Sequence, residues 1–280
     1  VSAAPPTTSE TWSIRGSDGQ PILGITDTPA GHPARDVVLV HGFKGYCDYG
    51  LFPVLARSLV AAGLTCHRFN FSHSGMTRQT ETFARPELFE RDTWGRQQHD
   101  LGAVLDRVQA GERPTVLFGH SRGGLTSLVG AARHADRLAG VVSAAAPADA
   151  CTLDDTSRRL LKTHGRLSSP SGRTGQELFV GRAWLDEIEA DPAASDPVAA
   201  LARVPDRLPV LLLHGDADTT VDVEALGRLH AARPAADAAV LAGANHVFNV
   251  VNPHPADAPL DPVAEDFIKR VVWFALNAAR

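Results

Sequence analysis

Apolar positions in this chain fall into short, nearly unbroken runs separated by stretches of helical spacing. Val37-Val38-Leu39-Val40, Thr115 to Gly119, Gly140 to Ala145, Val210-Leu211-Leu212-Leu213 and Ala239-Val240-Leu241 each read as a strand covered on both faces, because polar residues do not alternate into them. Thr65 to Phe71 adds another strand. Between the strands, Phe52 to Ala62 repeats its apolar residues at helical spacing and stops at Gly63, a C-cap residue. Further helices are expected from an N-cap at Asp92 to about Ala110, from Arg122 to His134, and from Pro262 to Ala278. Trp12 to Thr28 reads as a hairpin turning at Ser17-Asp18-Gly19. Strands alternating with helices predict an α/β fold: a mostly parallel central sheet with helices on both faces and an antiparallel pair at one edge.

That rhythm stops between about residues 148 and 204. The segment is rich in Ser, Gly, Arg, Asp and Pro, with short helical pieces near 154–162 and 182–190. It is too long for a plain strand-to-helix connection and is expected to form a small inserted lid above the strand ends. The predicted organisation is a flexible tail at 1–10, a core of 11–147 and 205–280, and the lid at 148–204.

Composition narrows the partners. A chain of 280 residues, 44% hydrophobic and 21% charged, can bury a real core. A net charge of -5 without basic blocks argues against nucleic acid, and no apolar run is long enough to span a membrane. Cys47, Cys66 and Cys151 are odd in number and widely spaced, so they are expected to be reduced and buried, which favours the cytoplasm. The start at Val1 leaves room for a removed signal peptide. Twelve histidines raise the question of a metal, but no ligand spacing appears, and no metal or other cofactor is expected. A homodimer is compatible with the sequence.

The chemistry is expected at Val116-Leu117-Phe118-Gly119-His120-Ser121-Arg122-Gly123-Gly124. A buried strand runs into a helix through Gly-x-Ser-x-Gly, where glycines relieve a turn too tight for side chains and Ser121 is pushed outward. Ligands bind beyond the C-terminal ends of parallel strands, and three other polar clusters fall at such ends: His41-Gly42-Phe43, His214-Gly215-Asp216-Ala217-Asp218, and Asn245-His246. A serine nucleophile needs a base, and the base needs a carboxylate; the order Ser, Asp, His suits Ser121, an aspartate and His246. Asp216, Asp218 and Asp222 all remain candidates by inspection. The Arg122 N–H, at the start of a helix, is a natural donor to a developing oxyanion.

LVHGFKG, RFNFSHSG, FGHSRGG, LLHGDADTTV and GANHVF together resemble the α/β-hydrolases of the bacterial esterase, dienelactone-hydrolase-like and serine-aminopeptidase-like group. The resemblance covers residues from about 36 to the C-terminus and matches the lid only loosely. It implies Ser121 as nucleophile, His246 as base, and, from His-Gly-x-x-Asp, Asp218 as acid. On this pattern Asp216 orders its turn and Asp222 caps the next helix. It also implies the N–H of Phe43 as the second oxyanion donor. Lys44, Tyr46, His120 and Trp184 are candidates to line the substrate pocket; His120 equally suits packing beside the turn, and His214 bracing the acid loop.

The expected activity is hydrolysis of a small-molecule carboxylic ester, with a short acyl or small aryl group, through an acyl-enzyme. The same three residues could serve a peptidase or amidase, an acyltransferase or a C–C hydrolase, and a non-catalytic ligand-binding protein can retain them.

Overall fold

The computed structural model describes residues 8–111 and 113–278. In chain order its elements are β1 (Thr8–Arg15), β2 (Pro21–Thr28), β3 (Asp36–Val40), α1 (Leu51–Ala61), β4 (Thr65–Asn70), α2 (Pro86–Glu90), α3 (Trp94–Gln109), β5 (Thr115–His120), α4 (Arg122–Arg133) and β6 (Leu138–Ala144). There follow α5 (Asp155–His164), β7 (Arg166–Ser168), β8 (Phe179–Gly181), α6 (Arg182–Ala190), α7 (Pro192–Ser195) and α8 (Pro197–Arg203). The chain then closes with β9 (Val210–Gly215), α9 (Glu224–Ala232), β10 (Asp237–Leu241) and α10 (Pro262–Asn277).

Eight strands form one sheet in the order β1-β2-β4-β3-β5-β6-β9-β10. β1 and β2 are antiparallel, β2 is antiparallel to β4, and every other neighbour is parallel. The α/β-hydrolase fold with a mostly parallel sheet is therefore as the sequence predicts. Thr8 to Glu10, expected in the tail, pair instead with Thr28 to Thr26 as strand, and residues 1–7 of the expected tail lie outside the described residues.

The pleat sorts side chains between two cores. Val37, Leu39, Val116, Phe118, Val142 and Leu213 face α1 and α10. Val38, Val40, Leu117, Val141, Val210 and Leu212 face α3, α4, α8 and α9. Burial on both sides is why these strands carry no polar alternation. From β3 the chain crosses to β4 on one side, while β5 lies on the other, so a crevice opens beyond the C-terminal ends of β3 and β5.

The segment between β6 and β9 holds α5, the antiparallel hairpin β7-β8, and α6 to α8. Leu161, Trp184 and Leu185 pack against Trp94, Leu125 and Val129, seating this segment on the starts of α3 and α4. α8 turns Leu201 and Val204 into the second core, as part of the helical layer under the sheet.

One expected cap differs. Thr93, not Asp92, caps α3, its side chain accepting from Arg96 N at 3.3 Å. Asp92 is turned inward instead, accepting from Gln97 Nε2 at 2.6 Å and facing Arg122. Cys47 and Cys66 are buried and Cys151 half-buried, all as free thiols; burial pushes Cys47 up to about 11 and Cys66 well above the ordinary thiol value. Among the described residues no helix is long and apolar enough to cross a membrane, and no cluster of three or more His, Cys, Asp or Glu side chains could hold a metal ion.

Candidate active site

Ser121 stands between β5 and α4 with φ 57° and ψ -126°, a backbone conformation that strains a non-glycine residue. The strain is held by tight packing on both flanks. A Cβ at Gly119 would stand 2.1 Å from the Gly123 carbonyl oxygen, and one at Gly123 would stand 2.2 Å from that of Val40. Only glycine fits either place, so the two glycines of Gly-x-Ser-x-Gly are explained by atoms in the structure. Ser121 N donates to Ala144 O at 2.8 Å, tying the turn to β6.

Ser121, Asp218 and His246 are brought together from three separate strand ends. His246 Nδ1 lies 2.7 Å from Asp218 Oδ2, and His246 Nε2 lies 2.9 Å from Ser121 Oγ. A carboxylate can only accept, so Nδ1 carries the proton and donates, which leaves Nε2 to accept from the Ser121 hydroxyl. The Asp218 side chain is wholly buried. Its Oδ1 accepts from Thr220 N at 2.8 Å and Val221 N at 3.0 Å, while His214 Nε2 stands 3.3 Å from Oδ2. Burial alone raises this carboxyl, but hydrogen bonds from His214, His246 and Val221 N outweigh it and hold Asp218 below the usual carboxylate range.

The other two aspartates have local roles. Asp216 Oδ1 accepts from Gly243 N at 2.7 Å, joining two loops, and Asp222 Oδ1 accepts from Glu224 N at 2.9 Å at the start of α9. His214 braces the loop that carries Asp218, its Nε2 also lying 3.0 Å from Val221 O.

The loop after β3 abuts Ser121: a Cβ on Gly42 would lie 3.0 Å from Ser121 Cβ. Neither the Phe43 nor the Arg122 backbone N–H takes part in a backbone hydrogen bond among the described residues. His41 fixes this loop from beneath. Its Nδ1 donates to Gly42 O at 2.9 Å and its Nε2 accepts from Phe71 N at 3.3 Å, a pattern that requires neutral imidazole. Burial accordingly lowers His41 to about 4, helped by the nearby Arg122 charge.

A cavity of about 460 Å³ opens beside Ser121. Phe43, Trp94 and Trp184 give it flat walls, while Leu153, Leu167 and Val180 from the inserted segment add apolar surface. Of the four expected lining residues, Trp184 is part of this wall and the other three are not. Lys44 Nζ donates to Pro170 O at 2.8 Å, Tyr46 is buried with Met76 and Phe83, and His120 lies behind the turn, its Nε2 donating to His246 O at 2.6 Å. Sequence proximity to the β3 loop put Lys44 and Tyr46 forward, but the loop turns both away from the crevice.

Trp94 and the Arg122 side chain are among the wall residues that were not foreseen. Trp94, on α3, gave no signal in the sequence. The Arg122 side chain did, since a residue directly after an outward-facing serine must border the same crevice. Its guanidinium sits over Trp94 at 4.3 Å, and lies 5.5 Å from the Phe43 ring and 5.6 Å from that of Trp184. Asp92 Oδ2 is 3.5 Å from Arg122 Nη2. Burial raises Asp92 to about 6 despite the opposing pull of Arg122.

A nucleophile-type turn, a histidine and a buried carboxylate at the strand ends of this sheet define the α/β-hydrolase class. The sequence agrees: residues 37–265 match the model of the alpha/beta hydrolase family, and the chain belongs to that family. None of the curated proteins matches the chain. Among solved structures, Est1E from Butyrivibrio proteoclasticus with ferulic acid bound is similar at 17% identity and a TM-score of 0.70, over 95% of this chain and 98% of that one. The esterase domain of a Rhodothermus marinus protein is similar at 20% identity and 0.65, over 96% and 98%. Dienelactone hydrolase from Anabaena variabilis is similar at 17% identity and 0.63, over 98% and 99%. At these identities the likeness is one of fold.

Proposed function

We propose that this protein is a serine hydrolase cleaving a small carboxylic ester through an acyl-enzyme. The observation that carries the reading is the chain of contacts from buried Asp218 through His246 to Ser121 Oγ, 2.7 and 2.9 Å long, at the edge of a flat-walled cavity. Ser121 Oγ attacks the ester carbonyl while His246 Nε2 takes its proton, and Asp218 stabilises the imidazolium that results. The carbonyl oxygen gains negative charge and is met by the N–H groups of Phe43 and Arg122. Each such donor is worth about 3 kcal/mol in the transition state. His246 then protonates the departing alcohol. Water, deprotonated by the same nitrogen, attacks the acyl-serine and releases the acid.

The segment carrying Leu153, Leu167, Val180 and Trp184 acts as the lid, closing the cavity over the substrate. A volume of about 460 Å³ between aromatic walls suits short acyl or small aryl groups better than long lipid chains. Names of similar folds point the same way, through esterases and a ferulic acid complex.

The test is a fluorophosphonate label with p-nitrophenyl acetate turnover. The wild-type protein should react with the label and hydrolyse the ester, and Ser121→Ala should lose both together. Turnover that persisted in Ser121→Ala would refute the assignment.

A further inference from the structure

Arg122 closes a ring of polar contacts on itself. Thr126 Oγ1, one turn along α4, lies 3.1 Å from the Arg122 carbonyl oxygen and 2.8 Å from Gln97 Oε1, so its one proton is shared between the two. Gln97 Nε2 donates to Asp92 Oδ2 at 2.6 Å, and Asp92 Oδ2 stands 3.5 Å from Arg122 Nη2. The backbone and the guanidinium of one residue are thus anchored through the same side chains. Thr126 and Gln97 are buried, and the side chains of Arg122 and Asp92 are only 11% and 12% exposed. Away from water this ion pair is weakly screened, and loss of either partner leaves a charge uncompensated.

The β3 loop rests on the same guanidinium. Phe43 is 40% exposed, and its ring packs against Phe89 at 5.2 Å and against the Arg122 guanidinium at 5.5 Å. The two N–H groups proposed to meet the carbonyl oxygen therefore share one support. That of Arg122 is fixed through its own ring of contacts, and that of Phe43 through a side chain lying on the group the ring holds. Ester cleavage as described above uses the two N–H groups and assigns no part to the side chains behind them. Yet a donor displaced by a fraction of an ångström still meets a neutral carbonyl, while it loses strength towards the charge that develops in the transition state.

We propose that Asp92 and the Arg122 side chain are positioning residues of the hydrolase, their buried ion pair setting the Phe43 and Arg122 N–H groups where the oxyanion forms. The inference rests on the serine-hydrolase reading. Its test is kinetics on p-nitrophenyl acetate at pH 8, well above the value of about 6 to which burial raises Asp92, together with the affinities of phenethyl trifluoromethyl ketone and phenethyl methyl ketone. With the fluoroketone, Ser121 Oγ bonds to the carbonyl carbon, its proton passes to His246 Nε2, and the carbonyl π pair moves onto the oxygen that faces the two donors. The methyl ketone is far less electrophilic and binds unreacted. Asp92→Asn and Arg122→Met should each lower kcat at least about tenfold with KM within about twofold, short of the loss of a donor removed outright. Both should weaken the fluoroketone by a similar factor and the methyl ketone by less than about twofold. The double variant should lose no more than about twofold beyond Arg122→Met, since Asp92 acts through Arg122. It leaves neither charge of the pair unpartnered, so it carries the same reading if a single variant does not fold. An unchanged kcat, a loss confined to KM, equal weakening of the two ketones, or losses that multiply in the double variant overturns the positioning role and leaves the hydrolase reading standing. A wild-type protein that neither hydrolyses the ester nor reacts with a fluorophosphonate removes the hydrolase reading, and the positioning role with it.

Discussion

His120 Nε2 donates to the backbone carbonyl of His246 at 2.6 Å, so the residue just before Ser121 holds the loop that carries the proposed base. The two rings lie 4.9 Å apart, and His120 is buried, with burial first among the causes that lower it to about 3. It is therefore a neutral donor, placed to fix the distance between the proposed base and the proposed nucleophile.

Removing that donor should misplace His246 more than it weakens substrate binding. His120→Ala is expected to lower kcat at least about tenfold with little change in KM, since sub-ångström misplacement of a catalytic group is costly. His120→Gln keeps an N–H donor and should recover most of the loss. Steady-state kinetics on p-nitrophenyl acetate separate the cases; equal losses in the two variants would mean that the ring, not the hydrogen bond, matters.

Asp218 and Asp216 lie two residues apart but have different partners. Asp218 is buried on His246, whereas Asp216 is exposed and its side chain accepts from Gly243 N. Asp218→Asn should lower kcat by about 10⁴, the loss seen when a triad acid can no longer select the histidine tautomer. Asp216→Asn should change kcat by less than about tenfold, acting only through loop order. Comparable losses would leave the acid unassigned.

The sheet was legible in the sequence because strands buried on both faces can tolerate no polar alternation, and Val37 to Val40 or Val210 to Leu213 admit no other reading. Ser121 was legible from its glycines, and Asp218 and His246 from their place after later strands. What stayed hidden depends on direction in space. Asp92 and Thr93 are both cap formers at adjacent positions, and only the fold decides that Thr93 caps α3 while Asp92 turns in towards Arg122. Lys44 and Tyr46 follow the β3 loop in sequence, yet Lys44 reaches Pro170 and Tyr46 packs on Met76 and Phe83. The wall formed by Trp94, Arg122 and Trp184 draws on three distant segments, and no local pattern announces such a meeting.

Stability should fall on mild acidification, and the cause lies in His41, His73 and His120. Burial lowers them from 6.5 to about 4, about 4 and about 3, so the unfolded chain binds protons at pH values where the folded chain refuses them. Stability from these neutral histidines is fully present above pH 6.5 and is lost as pH falls towards the folded values, by at most about 1.4 kcal/mol per pH unit for each. Asp92 works in the opposite sense: its carboxyl, raised from 3.8 to about 6, takes up a proton in the folded state first and offsets part of the loss below pH 6. Asp92, with Asp100 raised in the same sense by burial, offsets only part of what three histidines lose, so the urea midpoint should decline between pH 6.5 and 4. His120→Gln removes one of the three titrating rings while preserving a donor to His246 O, and should flatten that decline by roughly a third. A wild-type midpoint that stays level over this interval, or an unchanged slope in His120→Gln, would show that the buried imidazoles are not what acid attacks.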